Sequence, residues 1–264
     1  MAIFERKQQL KITILGSGTS QGVPVIACDC EVCQSVDPKD NRLRSAILVS
    51  HQDIQLVVDT GPDFRQQMLR EKVQFLDAVF FTHMHKDHLS GLDDVRSFNF
   101  KQDMDMPIYC DEIVEEALHR EFGYAFTSNY PGIPRLAVNV IDKDFTQDFG
   151  SLSIQALEVT HHNLPVLAYR FNQFGYVTDA KHISMDEADK LKGVEVLVVN
   201  ALRFEEHISH FNIEEALAFI DYVKPKKAYL THISHLMGLH ETVTKQLPEN
   251  VELAYDGLII ELED

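Results

Sequence analysis

Between Thr82 and His88 the chain reads Thr82-His83-Met84-His85-Lys86-Asp87-His88, which sets His83, His85, Asp87 and His88 within six residues. Imidazole and carboxylate are ligands for divalent metals. On an extended segment, His83 and His85 stand two residues apart and point the same way. Asp87 and His88 follow where a strand is expected to turn into a helix, so they can serve a second ion beside the first. Two ions about 3.5–4 Å apart can clamp an in-line displacement. A lone histidine on an apolar strand is usually a packed core residue, but this density of donors is not explained that way.

A second cluster is Cys28-Asp29-Cys30-Glu31-Val32-Cys33. Such near neighbours do not readily form disulfides, so a metal site is the better reading. Three thiolates need a fourth ligand to close a tetrahedral zinc site. His235, in Thr231-His232-Ile233-Ser234-His235, is the first choice and His240 the alternative. A closed Cys3His site would be structural, tying an N-terminal loop to the C-terminal half.

These residues must be carried by a framework, and the hydrophobic pattern supplies one. Strands are expected over 10–15, 45–50, 54–59, 75–82, 107–110, 153–160, 166–171, 174–178, 194–199, 227–231 and 258–262. Helical spacing covers 64–71, 92–98, 112–122 and 213–223, while Tyr124 to Leu136 reads as a long ordered loop that could line a cleft. The stretch Gly16-Ser17-Gly18-Thr19-Ser20-Gln21-Gly22 lacks the Lys-Ser/Thr of a phosphate loop and the third glycine of a dinucleotide fingerprint. It reads as a tight strand exit. Two β-rich halves without a linker between them suggest one domain, 1–264, with two sheets face to face and helices outside.

The histidine motif resembles the His-x-His-x-Asp-His signature of the metallo-β-lactamase superfamily, whose fold is an α+β, four-layer αββα sandwich. The later ligands of that family have counterparts in the same order: His161 in Val159-Thr160-His161-His162, Asp179 in Thr178-Asp179-Ala180, and His232. The resemblance implies that His83, His85 and His161 bind one metal, that Asp87, His88 and His232 bind the other, and that Asp179 bridges them. Val159 and His161 share a strand face, which favours His161 over the adjacent His162, without removing the second. Asp59, which ends a strand in the family's Asp-x-Gly position, either orients a ligand imidazole or is a plain helix N-cap or turn aspartate before Gly61.

Further motifs narrow the resemblance. Gly18-x-x-Gln21-Gly22-Val23-Pro24, the three cysteines, Thr231-His232-Ile233-Ser234-His235 and Tyr255-Asp256-Gly257 together resemble the PhnP-like family, which opens a phosphoribosyl 1,2-cyclic phosphate. This implies two active-site divalent metals, Mn2+ or Zn2+, and one structural Zn2+. It further implies attack on a small cyclic phosphodiester by a metal-bridged hydroxide, with Asp87 in the catalytic centre and His210 as general acid. His210 also fits the bland role of a helix cap, and His207 is its rival. Arg44 and Arg203 are possible phosphate contacts.

Composition bounds the partners. The 264 residues carry 41 acidic and 24 basic side chains, a formal charge of −17, with no cluster of Lys and Arg. That balance argues against extended nucleic-acid contact and leaves room for a small-molecule phosphodiester held by local cations. It also weighs against a tRNA 3′-processing endonuclease, as does the want of a glycine-rich basic arm. A carboxylic-ester, lactone or thioester hydrolase could use the same metals. A metal-bound interaction module is disfavoured because every ligand position is filled. No apolar run is long enough for a membrane span, and the first residues lack a signal-peptide pattern, so a cytoplasmic location is expected. A homo-oligomer is compatible with the sequence.

Overall fold

The computed structural model describes residues 9–128 and 130–263. Its first half contains β1 (Gln9–Gly16), β2 (Ala46–His51), β3 (Ile54–Val58), α1 (Phe64–Arg70), β4 (Ala78–Phe80) and α2 (Lys86–Leu89). There follow α3 (Arg96–Gln102), β5 (Met106–Cys110), α4 (Glu112–Glu121), α5 (Gly123–Thr127) and β6 (Leu136–Val140). The second half has β7 (Thr146–Phe149), β8 (Leu152–His161), β9 (Leu164–Phe171), β10 (Phe174–Val177), α6 (Met185–Asp189) and β11 (Val196–Asn200). It ends with α7 (Ile213–Val223), β12 (Lys227–Thr231), α8 (His240–Thr244), β13 (Val251–Leu253) and β14 (Ile259–Glu263).

One sheet runs β14-β1-β2-β3-β4-β5-β6 and the other β13-β12-β11-β10-β9-β8-β7. The last strand crosses back to the first sheet, where Leu262 pairs with Leu10 and Ile260 with Ile12, antiparallel. Strands β3 to β6 are parallel, as are β10 to β13. Parallel strands need crossovers, and the helices supply them.

Three apolar cores make the layers. Leu10, Ile12, Val49, Phe80, Tyr169 and Phe174 pack between the sheets. Phe64, Val79, Leu92, Val114 and Leu118 seal the outer helices onto the first sheet. Leu197, Val199, Ala216, Phe219 and Ile220 do the same for the second. The residues of α7 illustrate why: Ile213, Ala216, Phe219, Ile220 and Val223 form one buried stripe. Asn212 and Glu215 close a capping box at its start, and Lys224 ends it in the left-handed region. The architecture is the expected four-layer αββα sandwich.

Some expectations about elements change. The strand expected over 75–82 pairs only from Ala78 to Phe80, so His83 and His85 lie beyond it in an extended loop. Gly123–Thr127 is helical and β6 begins at Leu136, so Tyr124 to Leu136 is not all loop; residue 129 lies outside the described residues. The short elements β7, β13 and α6 were not expected, because three to five residues of mixed polarity carry no readable period.

Candidate metal centre

The histidines and acids gather where the strands end. Asp59 follows β3, His83 follows β4, His161 closes β8, Asp179 follows β10, and His232 follows β12. Parallel strands present all their carboxyl ends on one edge, where loops can converge. The turns are tight: Asp59, Asp179 and His232 have φ of 67°, 57° and 56°. Non-glycine residues rarely adopt this conformation, and where they do the surroundings must enforce it.

Asp179 is the hub. Its Oδ2 lies 3.3 Å from His88 Nε2, and its Oδ1 lies 3.3 Å from His232 Nε2 and 3.7 Å from His210 Nδ1. His88 Nε2 also stands 3.1 Å from Asp87 Oδ2. Donor atoms of His83, His88 and Asp179 fall within 4.8 Å of one another, as do those of Asp87, His88 and His232, and those of His161, Asp179 and His210. His85 is outside these groups, yet its ring centroid is 4.6 Å from that of His83 and 5.1 Å from that of His161.

The proton positions suit a cation. Asp59 accepts from Thr82 N at 2.9 Å, from Thr82 Oγ1 at 2.8 Å and from His88 Nδ1 at 2.7 Å. Thr82 spends its hydroxyl hydrogen on Asp59, so it accepts from His83 Nδ1 at 3.0 Å. His161 Nδ1 donates to the Ser209 carbonyl at 2.8 Å. Each ring is thereby fixed by Nδ1, leaving Nε2 free. Among the described residues, His83 Nε2 is buried with no hydrogen-bond partner, and His88 Nε2 faces only the Asp87 and Asp179 carboxylates. Orphaned buried nitrogens are costly unless something binds them, and this donor set fits divalent cations.

Charge tells the same story. Against the opposing effect of burial, Asp87, Asp179 and Asp59 hold the His88 imidazole well above its usual range. Asp179 stays ionised despite burial because His232 and His88 face it. The cluster therefore demands positive charge at its centre. Burial drives His83 well below its ordinary value and pushes His210, also facing His232, down to about 3, so both are neutral and able to act as ligands or hydrogen-bond partners.

The second cluster also assembles. Cys28, Cys30, Cys33 and His235 bring their donor atoms within 4.8 Å of one another. His235 Nδ1 is 3.4 Å from Cys28 Sγ and 3.3 Å from Cys30 Sγ. The Cys30 thiol is drawn down to about 6, first by the Cys33 N–H and then by His235, while burial pushes Cys33 up to about 11. A readily ionised Cys30 beside two further cysteines and an imidazole matches a closed Cys3His site for zinc.

Several alternatives separate here. His162 is exposed and turned toward Asn163, away from the cluster that His161 joins. His240 stands apart from the cysteines, its Nδ1 accepting from Arg42 Nη2 at 3.1 Å. His207 accepts from Ser209 N and is not among the grouped donors, whereas His210 is. Arg44 is paired with Asp63 at 3.0 Å, and Arg203 is turned to the Glu205 and Glu206 carbonyls. Sequence reasoning overlooked Thr82, whose position beside His83 was a usable signal. It also overlooked Asn200, which holds the Asp179 turn through bonds to Ala180 N and O at 2.7 and 3.0 Å, and for which no local signal exists.

Comparison with known proteins then widens the view. A family model described as the beta-lactamase superfamily domain matches residues 55–233. The crystal structure of a new diphosphatase from the PhnP family superposes with a TM-score of 0.90 at 36% identity, over 97% of this chain and 98% of that one. The octanoyltransferase of Porphyromonas gingivalis is 36% identical over 252 residues, 94% of this chain and 51% of that protein. The ribonuclease Z of Methanosarcina acetivorans is 29% identical over 170 residues, 61% of this chain and 47% of that protein. The chain spans about half the length of the curated relatives it matches. Among the described residues, no helix is long and apolar enough to cross a membrane.

Proposed function

The chain belongs to the metallo-β-lactamase superfamily, and we propose that it is a metal-dependent hydrolase whose substrate is a small, cyclic phosphodiester. The observation that carries this reading is the gathering of imidazole nitrogens around the Asp179 carboxylate, in a chain so similar to a PhnP-family diphosphatase. His83, His85 and His161 would hold one divalent ion, Asp87, His88 and His232 a second, with Asp179 between them; Cys28, Cys30, Cys33 and His235 would hold a structural zinc. When bound, a pair of Mn2+ or Zn2+ ions supplies charge neutralisation on phosphoryl oxygens and water activation at neutral pH.

The protein's own residues do the rest. Asp59, Thr82 and the Ser209 carbonyl fix the ring orientations in advance, so the site need not reorganise as charge develops. His210 is buried beside Asp179 and neutral on its own, so it would pass a proton to the departing alkoxide only once the negative charge of a bound phosphodiester lets the ring take one up. Water is limited by burial, since His83, His88, Asp179 and His232 are at most 2% exposed.

An acyl substrate is the second reading, favoured by the name of the Porphyromonas relative. A ribonuclease Z-like activity draws on the Methanosarcina relative, against which stands the charge of −17. One panel separates the three: bis-p-nitrophenyl phosphate and a ribose 1,2-cyclic phosphate, an octanoyl thioester with a lactone, and a precursor tRNA, each with Mn2+ or Zn2+. Turnover of the phosphodiesters is expected. Turnover of the thioester or lactone alone, or of the tRNA alone, would replace the proposal.

A further inference from the structure

The glycine-rich turn after β1 is no phosphate loop by sequence, yet it sends one hydroxyl into the histidine cluster. Thr19 is 7% exposed, and among the described residues its Oγ1 has one hydrogen-bond partner, His232 Nε2 at 3.2 Å. Proton counting gives the direction of that bond. Ser45 Oγ donates its hydrogen to the Gly18 carbonyl at 2.9 Å, so it can only accept from His232 Nδ1, 3.3 Å away. The proton of a neutral His232 therefore sits on Nδ1, and Nε2 accepts from the Thr19 hydroxyl. Nε2 is also the atom facing Asp179 Oδ1.

A metal ion held by His232 takes that same lone pair. The Thr19 hydroxyl then becomes a buried donor on the metal-facing side of the ring with its acceptor gone, and buried donors need acceptors. Its backbone keeps it there. Thr19 N donates to the Ile233 carbonyl at 3.1 Å and Ile233 N to the Ser17 carbonyl at 2.9 Å, so turn and ligand move as one piece. Gly18 permits the approach: a side-chain carbon there would come within 2.9 Å of the Arg42 carbonyl oxygen.

We propose that Thr19 is a substrate-binding residue whose Oγ1–H donates to a non-bridging phosphoryl oxygen of the anion at the metal pair. This rests on the phosphodiesterase reading, which supplies the anion. It gives the turn a purpose that its sequence did not declare. The arginines nearest in expectation, Arg44 and Arg203, are already engaged with Asp63 and with backbone carbonyls.

The test compares metal-loaded wild type, Thr19→Val and Thr19→Ser. Inorganic phosphate binding is measured by calorimetry, bis-p-nitrophenyl phosphate turnover by kinetics, and metal content and Tm are followed in each. The valine variant is expected to bind phosphate roughly 10- to 100-fold more weakly, the range for losing one hydrogen bond to a charged group. kcat/KM should fall by a similar factor, with metals retained and recovery in the serine variant. Equal phosphate affinity in wild type and Thr19→Val overturns the assignment. So does a loss that vanishes at saturating metal, which would mean the hydroxyl serves only to hold His232. Thr19-dependent phosphate binding without any diester turnover leaves Thr19 in place and removes the phosphodiesterase reading instead.

Discussion

The Asp59 carboxylate is fully buried and touches no grouped donor except through His88, yet three hydrogen bonds converge on it. Its work is orientation: it sets the His88 tautomer and, by way of Thr82, that of His83. Asp59→Asn keeps the shape but confuses the proton pattern. Metal affinity at the histidine cluster should fall about 10- to 100-fold while metal binding at the cysteines is unaffected, as a chelator titration would read. His210→Gln asks a different question. If the imidazole delivers a proton, kcat should drop by about 10²–10⁴ with metal content unchanged, and a substrate with a good leaving group such as p-nitrophenolate should lose less than one with a poor alkoxide. The gathering of these side chains was legible at this scale because His83, His85, Asp87 and His88 crowd one segment, and His161, Asp179 and His232 each follow a recognisable strand. Thr19, Ser45 and Asn200 were not, because their roles depend on what the fold lays against them from far along the chain.

Among the elements, α2 is the one that must be seated closely, since it carries Asp87 and His88. It is clasped by the turn after β3: Thr60 N donates to the His88 carbonyl at 2.7 Å, and Gly91 N to the Thr60 carbonyl at 2.8 Å. A side-chain carbon on Gly61 would stand 2.0 Å from the Asp87 carbonyl oxygen, which is backbone and cannot yield. Gly61→Ala should therefore cost about 2 kcal/mol or more and displace Asp87 and His88, visible as a lower Tm and weaker metal binding at the histidine cluster. Gly123→Ala, where nothing among the described residues lies within 4 Å of the added carbon, is the control expected to change little. The cysteine loop is the second such element. Cys30→Ser should remove about one equivalent of bound metal per chain in elemental analysis, and lower Tm, because it unties the 28–33 loop from His235. Long strands and the 213–223 helix could be read from their periods. The shortening of β4 and the helix at Gly123–Thr127 could not, since tertiary contacts decide where a buried run stops pairing and a few residues seldom show a period.

At the scale of the whole molecule, the two ends of the chain are locked together by buried charge beneath the metal edge. Arg42, 3% exposed, donates to Ser17 Oγ, to the Ala254 carbonyl and to His240 Nδ1, while Asp256 accepts from Ser17 N at 3.0 Å and Leu43 N at 2.8 Å. Asp40 completes the lock by accepting from His240 N at 2.7 Å. His240 can serve only while neutral, because a protonated Nδ1 would face the guanidinium with no lone pair. Burial, then Arg42 and Lys39, lower its pKa from 6.5 to about 4, with Asp40 and Asp37 opposing. The sign follows from linkage: the unfolded chain binds this proton more readily than the folded one, so stability is full above pH 6.5 and drains away as pH falls toward 4. At pH 5 the loss from this one group is about 2 kcal/mol, or roughly 5 °C in Tm for a domain of this size. The comparison that isolates His240 from every other acid-sensitive group is with His240→Gln, whose amide oxygen can still accept from Arg42. Calorimetry from pH 7 down to pH 5 should show wild type losing several degrees more than the variant. Parallel curves would mean that the lock between the first loop and the last strands does not depend on the charge of His240.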